Sequence, residues 1–207
     1  MPTKKRVIFW SFTGIVVIVL LGVAAVVVPI LTHTSAGKSG QVLKSDYAPR
    51  VSATGDDGRT RKLAVTDASG KDIDAAALVA GEKVVVKGTG FDPGIGIYVS
   101  FCELPDAANK KPGPCLGDVP ASEDAAEDAD PKQLSSAWVT NNWAWKNFAT
   151  DRFDGEGFTV RLVVPPPTGN GANCQEHRCA IVTRADHTAS KDRVQDIAVP
   201  VKWRTKE

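Results

Sequence analysis

Hydrophobic residues follow one rule at the start of this chain and another after it. Residues 7–31, VIFWSFTGIVVIVLLGVAAVVVPIL, run for 25 positions without a charge. A helix of that length rises roughly 37 Å, slightly more than the ~30 Å hydrocarbon core of a bilayer. The run exceeds the roughly 7–15 residues of a cleavable leader, and the small-residue site after it, Thr34-Ser35-Ala36, is poor. A retained transmembrane signal anchor is therefore expected over 7–31. Residues 1–6 carry Lys4, Lys5 and Arg6, so they form a cytoplasmic basic tail and everything beyond Leu31 is expected outside. Residues 32–61 are rich in Ser, Gly, Thr and charge and read as a flexible linker with a reach of about 30 Å.

From residue 62 onward short apolar runs with strand-type alternation replace the continuous one. The pattern is densest in GEKVVVKGTGFDPGIGIYVSFCELPDAANKKPGPC, residues 81–115. Val84, Val85 and Val86 favour extended backbone, and Gly88, Gly90, Pro93, Gly94 and Gly96 supply turn chemistry. The run 97–102 then resumes with period two. Similar signals recur along the rest of the chain. We expect strands A to G at 62–67, 83–89, 97–103, 135–140, 157–164, 179–184 and 195–203, with one possible helical turn at 72–80. This is the spacing of an all-β, seven-stranded immunoglobulin-like sandwich occupying 62–207. Because consecutive strands reverse, the B–C, D–E and F–G loops should share one end with the start of strand A. The cysteines and the C–D insert should collect at the other.

Composition narrows the function. With 25 basic and 24 acidic residues in 207, the formal charge is +1, so no global field favours nucleic acid. The 18 glycines and 13 prolines suit strands and turns. There is no G-x-S-x-G elbow, H-E-x-x-H, P-loop or helix-opening G-x-G-x-x-G, and no enzymatic activity is expected. The C–D insert, 104–134, contains Glu123, Asp124, Glu127, Asp128 and Asp130. Such carboxylates could hold calcium, but they lack the D-x-[DN]-x-[DN]-G pattern and read first as a solvated acidic loop. The D–E insert, 141–156, carries Trp143, Trp145, Phe148 and Phe153. These rings either form a contact surface or ligand pocket or cap the core, as Trp138 and Trp203 are expected to do.

Four cysteines remain. Cys174 and Cys179 bracket a C-x4-C loop, and Cys102 and Cys115 bracket the start of the C–D insert. Zinc binding with His177 is the rival reading, but only one pair is close enough for the usual ligand spacing. In an oxidising compartment two local disulfides, Cys102–Cys115 and Cys174–Cys179, are expected.

The order VVVKGTGFDPGIGIYVSFC, GFTVRLVV, C-x4-C, AIVTRADHT and IAVPV resembles the neocarzinostatin family of actinobacteria over roughly 83–203. The likeness is nearer to its membrane- or surface-attached relatives, some of which occur with haem-uptake proteins, than to the secreted antibiotic carriers. The resemblance implies a seven-stranded immunoglobulin-like apoprotein with two local disulfides at these positions. In the carriers an enediyne chromophore lies in a cleft walled by the sandwich and its loops. This chain departs from them in its anchor, its acidic insert and its Trp-rich loop. The expected function is a membrane-anchored, extracytoplasmic, non-enzymatic module that contacts a protein partner in the cell envelope, as an accessory subunit of a larger complex. The alternative is a binder of haem or another small apolar ligand. In either case the candidate surface is Trp143, Trp145, Phe148, Arg184, His187 and Arg193. His187 reads as a metal or haem ligand or, more plainly, as a hydrogen-bonded loop residue, with Tyr98 and His177 as conceivable partners. No metal ligand set is identified.

Overall fold

The computed structural model describes residues 3–43, 46–106, 110–117 and 134–204. The acidic run 122–130 lies outside the described residues, so its calcium-binding and solvated readings both stay expectations. Contacts divide the chain into Met1–His33 and Thr34–Glu207.

The first unit is one helix, α1 (Thr3–Thr32). Most of its apolar side chains from Phe12 to Leu31 are exposed, and the segment Ser11–Thr32 is long and apolar enough to cross a membrane. A helix that is apolar all round has no stripe to bury against a soluble core.

The second unit is a sandwich of two antiparallel sheets. One sheet orders β1 (Arg50–Thr54), β2 (Thr60–Asp67), β3 (Lys83–Thr89) and β7 (Phe158–Val163). The other orders β11 (Ala198–Val201), β10 (Cys179–Ala185), β4 (Ile97–Glu103) and β5 (Cys115–Leu116), and β6 (Ser136–Val139) also pairs with β4. A two-residue ribbon, β8 (Thr168–Gly169) with β9 (Ala172–Asn173), lies beside them. All seven expected strands are present; G is the shortest relative to expectation, because Gln195 and Ile197 belong to the loop that precedes it. Leu63, Val65, Val84, Val86, Val160 and Leu162 from one sheet meet Ile97, Val99, Phe101, Ile181 and Val199 from the other. Alternation along each strand points these residues inward. Both disulfides form as expected, Cys102 with Cys115 and Cys174 with Cys179.

Three expectations change. Residues 72–80 form turns, not a helix: Leu78 N donates to Lys202 O and Lys202 N to Ala75 O, 2.9 and 2.8 Å, so the backbone is spent on pairing with the C-terminal strand's extension. Trp203 does cap the core, beside Phe101, but Trp138 does not. It lies opposite Tyr98 on the outward face of its sheet.

The third change is larger. Residues 32–61 are not a free linker, because β1 and the start of β2 fall within them. Gly55 to Gly58 forms the hairpin turn between these strands, with Gly58 N donating to Gly55 O and Gly58 at φ 76°. Residues 36–43 are also bound. Ala36 N donates to Asp192 Oδ2 (2.9 Å), and Lys38 N donates to Asp56 Oδ2 (2.8 Å). Gln41 then pairs with the edge strand β11. Its Nε2 donates to Ala198 O and its Oε1 accepts from Ala198 N, both 2.7 Å. The polar composition that reads as a tether is the composition of an edge strand and a strap, whose hydrogen-bonding side chains work at the surface.

Candidate binding surface

The site grows from the outward face of the second sheet. On β4, Tyr98, Ser100 and Cys102 alternate with the core residues, and on β10 Ala180, Val182 and Arg184 do the same. The register sets Arg184 opposite Tyr98, Val182 opposite Ser100 and Ala180 opposite Cys102. The middle of this face is closed by the chain itself. Val182 and Ala180 are fully buried in a cluster with Cys102 and Ala198, packed against by Leu43, Leu104 and Cys115. Over Arg184 runs Pro112, whose carbonyl accepts from the guanidinium at 3.0 Å.

At the end of this face three loops meet. Gln195, fully buried, ties two of them together: its Oε1 accepts from Asp92 N (2.7 Å), and its Nε2 donates to Ile95 O (2.9 Å). The same Oε1 receives Nε of the buried Arg61, which is held by Asp57. Gly96 allows the closest approach. A Cβ there would stand 2.0 Å from Asp186 Oδ2, so no larger residue fits without displacing that carboxylate. Asp186 caps the 3₁₀ turn His187–Ala189 by accepting from Thr188 N (2.8 Å) and Thr188 Oγ1 (2.6 Å). Its other oxygen takes the indole N–H of Trp138 (2.9 Å).

That cap aims His187 into a group of rings. Its imidazole lies 5.2 Å from Trp138 and 5.1 Å from Trp145, edge-on to both, and Nδ1 is 3.0 Å from the Tyr98 hydroxyl. The Arg184 guanidinium stands 5.9 Å over the Tyr98 ring, within cation–π range. Burial, aided by the negative charge of Asp186, pushes the Tyr98 phenol up to about 12. The phenol therefore stays protonated and available as a hydrogen-bond donor. Burial also lowers the pKa of Lys111 and of Arg184; the charge of Arg184 lowers Lys111 further, and that of Arg193 lowers Arg184.

The expected site residues divide into three groups. His187, Trp145 and Arg184 come together around Tyr98 and Trp138. Trp143 and Phe148 project from the neighbouring turn, 65% and 56% exposed. Arg193 is largely buried instead: it is 7% exposed, pairs with Asp196 at 2.8 Å and also donates to Ser190 O. Phe153, from the same aromatic loop, caps the core against Phe158. Of the two conceivable partners of His187, Tyr98 reaches it, whereas His177 lies in the Cys174–Cys179 loop, where its N donates to Asn173 O. Sequence reasoning left out Trp138, Asp186 and Lys111. Asp186-His-Thr188 carries a visible signal, a carboxylate two residues before a threonine, the sequence form of an Asx-type cap.

Elsewhere a concavity of about 590 Å³, lined by Asp67, Asp72, Asp74, Glu82 and Arg204 together with Ile73, Ala77 and Val84, is open. Asp67 accepts from Ser69 and Lys71, and Asp72 from Arg50. Asp74 and Glu82 accept from backbone N–H groups. Its carboxylates are thus committed to the protein, and among the described residues no cluster suited to a metal ion is present.

No family model matches the chain. A protein of Corynebacterium glutamicum named thiamine biosynthesis protein X is 30% identical over 128 residues, 61% of this chain. The chain spans 60% of that relative's length. Among solved structures, macromomycin aligns with 20% identity and a TM-score of 0.36, covering 68% of this chain and 98% of its own. The sandwich itself rests on the strand pairing described above.

Proposed function

We propose that this chain is a single-pass, membrane-anchored binding module whose sandwich lies outside the cytoplasm and contacts a protein partner, with no catalytic step of its own. The observation that carries the reading is the convergence of Tyr98, Trp138, Trp145, Arg184 and His187 at one end of the second sheet. Aromatic rings with polar tips beside an arginine are the mixture that dominates contact energies at protein interfaces. The closed middle of the same face favours contact across a surface over enclosure of a ligand. Helix α1 suits an anchor, the paired cysteines suit an oxidising compartment, and an accessory role in an envelope complex follows naturally. The test is purification of full-length protein from native membranes in mild detergent. Trp145→Ala combined with His187→Ala should cut the recovered partner about tenfold or more, the loss of one hot spot or two. Unchanged recovery with a folded variant would sink this reading.

A second reading is a flat apolar ligand such as haem, favoured by the grouping of Trp138, Trp145 and His187. The protonated Tyr98 counts against a phenolate bond to haem iron. Saturable quenching of tryptophan fluorescence by haem, abolished by the same double substitution, would favour this second reading.

A further inference from the structure

Trp143 and Phe148 remain outside the cluster just described, and their exposure is the largest among the sandwich's aromatic rings. They sit on a fixed turn. Asn142 Oδ1 accepts from Ala144 N at 2.9 Å, Asn142 O accepts from Trp145 N and Lys146 N, and Trp145 O accepts from Phe148 N. Asn141 anchors the base of the loop through two bonds to the Phe153 backbone, 3.1 and 3.0 Å. A turn held this firmly presents its rings to something; both stay more than half exposed among the described residues.

The chain's connectivity says what. Helix α1 ends at Thr32, and Ala36 is already bonded to Asp192 in the loop that carries His187. Only His33, Thr34 and Ser35 intervene. Four Cα steps of at most ~3.6 Å span about 14 Å, and that is the longest tether the chain allows between Thr32 and Ala36 at this end of the sandwich. It is the end that bears Trp143 and Phe148, since Trp145 touches His187.

We propose that Trp143 and Phe148 seat in the lipid headgroup interface of the bilayer that α1 crosses. This rests on the anchored reading above. Tryptophan is the residue most at home at that depth, with an apolar body and one N–H to leave in the polar layer. Charges in the same loop segment are mixed: Lys146 and Arg152 alternate with Asp151 and Asp154. The rings therefore carry the contact, and it needs no anionic lipid. Seated in this way, the turn orients the Tyr98–His187 cluster at the edge of the membrane, where a partner also held in the bilayer would meet it.

The test uses full-length protein carrying Trp10→Phe, reconstituted in phosphatidylcholine vesicles brominated near the headgroup end of the acyl chains. Bromine quenches tryptophan only at close range. Quenching is expected in this protein and should be lost when Trp143→Phe is added. Equal quenching with and without Trp143 overturns the proposal, as does loss of a copurifying protein on Trp143→Ala/Phe148→Ala with no lipid quenching, which would assign the rings to a protein partner. Protein that fails to float with the vesicles defeats the anchored reading itself. Protein that floats with Trp143 unquenched defeats only the seating of the rings.

Discussion

Asp196 is the residue whose chemistry is most strained by its position. One oxygen pairs with Arg193, and the other is buried with no hydrogen-bond partner among the described residues. Burial, partly offset by Arg193, pushes its carboxyl up to about 6. Its folded pKa lies above the unfolded value near 3.9, so the folded state holds this proton better. Its contribution is therefore full below about pH 4 and is lost as pH rises through about 6. The shift is roughly two pKa units at ~1.4 kcal/mol each, or about 3 kcal/mol at most. Asp57 works in the opposite sense. Its hydrogen bonds to buried Arg61 lower its pKa, and its contribution is lost as pH falls below the usual carboxylate range. Asp196→Asn should thus flatten the decline in stability between pH 4 and 6.5 and leave the loss at lower pH intact. Denaturant melts at a series of pH values measure both. An unchanged slope between pH 4 and 6.5 in the variant would contradict the assignment.

At the scale of elements, the strap and the disulfides close what the strands leave open. Strand β11 is an edge, and an exposed edge offers unpaired N–H and C=O groups to other chains. Gln41 satisfies both backbone groups of Ala198 on that edge. Gln41→Ala should raise amide hydrogen exchange at Ala198 about tenfold, which corresponds to an opening easier by ~1.4 kcal/mol, near the worth of one hydrogen bond. Exchange left unchanged would mean that the strap does not protect the edge. The two disulfides should differ in weight. Cys102–Cys115 closes a separation of 13 residues and holds β5 to β4, whereas Cys174–Cys179 closes 5. Paired serine substitutions should cost more stability at the first than at the second, each within ~2–4 kcal/mol. The reverse order in denaturant melts would show that native-state packing, not loop closure, sets their worth.

For the whole molecule, the decisive question is the side of the membrane. On the anchored reading proposed above, the flank Lys4-Lys5-Arg6 predicts a cytoplasmic N-terminus and a sandwich outside. Protease added to intact spheroplasts should remove the sandwich and leave a small anchored fragment, with lysed cells showing that the folded sandwich can be cut. Full-length protein surviving in intact spheroplasts but not in lysed ones would reverse the topology.

Period and composition alone determined the apolar helix, the positions of seven of the strands and the identity of the cysteine partners. Each of these depends on neighbours close in sequence: an uninterrupted apolar run, alternation along an extended chain, or a short loop closed by two thiols. Residues 36–54 were illegible for the same reason, since polar residues that bond to distant backbone look identical to polar residues that bond to water. Tertiary structure alone decided the site. Tyr98 and His187 are 89 positions apart, and they meet only because antiparallel register sets β4 beside β10 and Asp186 caps the turn that follows. It also separated the aromatic insert into a core ring, Phe153, a cluster ring, Trp145, and two uncovered rings, Trp143 and Phe148. It buried Arg193 against Asp196, because a loop that must pass over a sheet end can satisfy its charges only with one another.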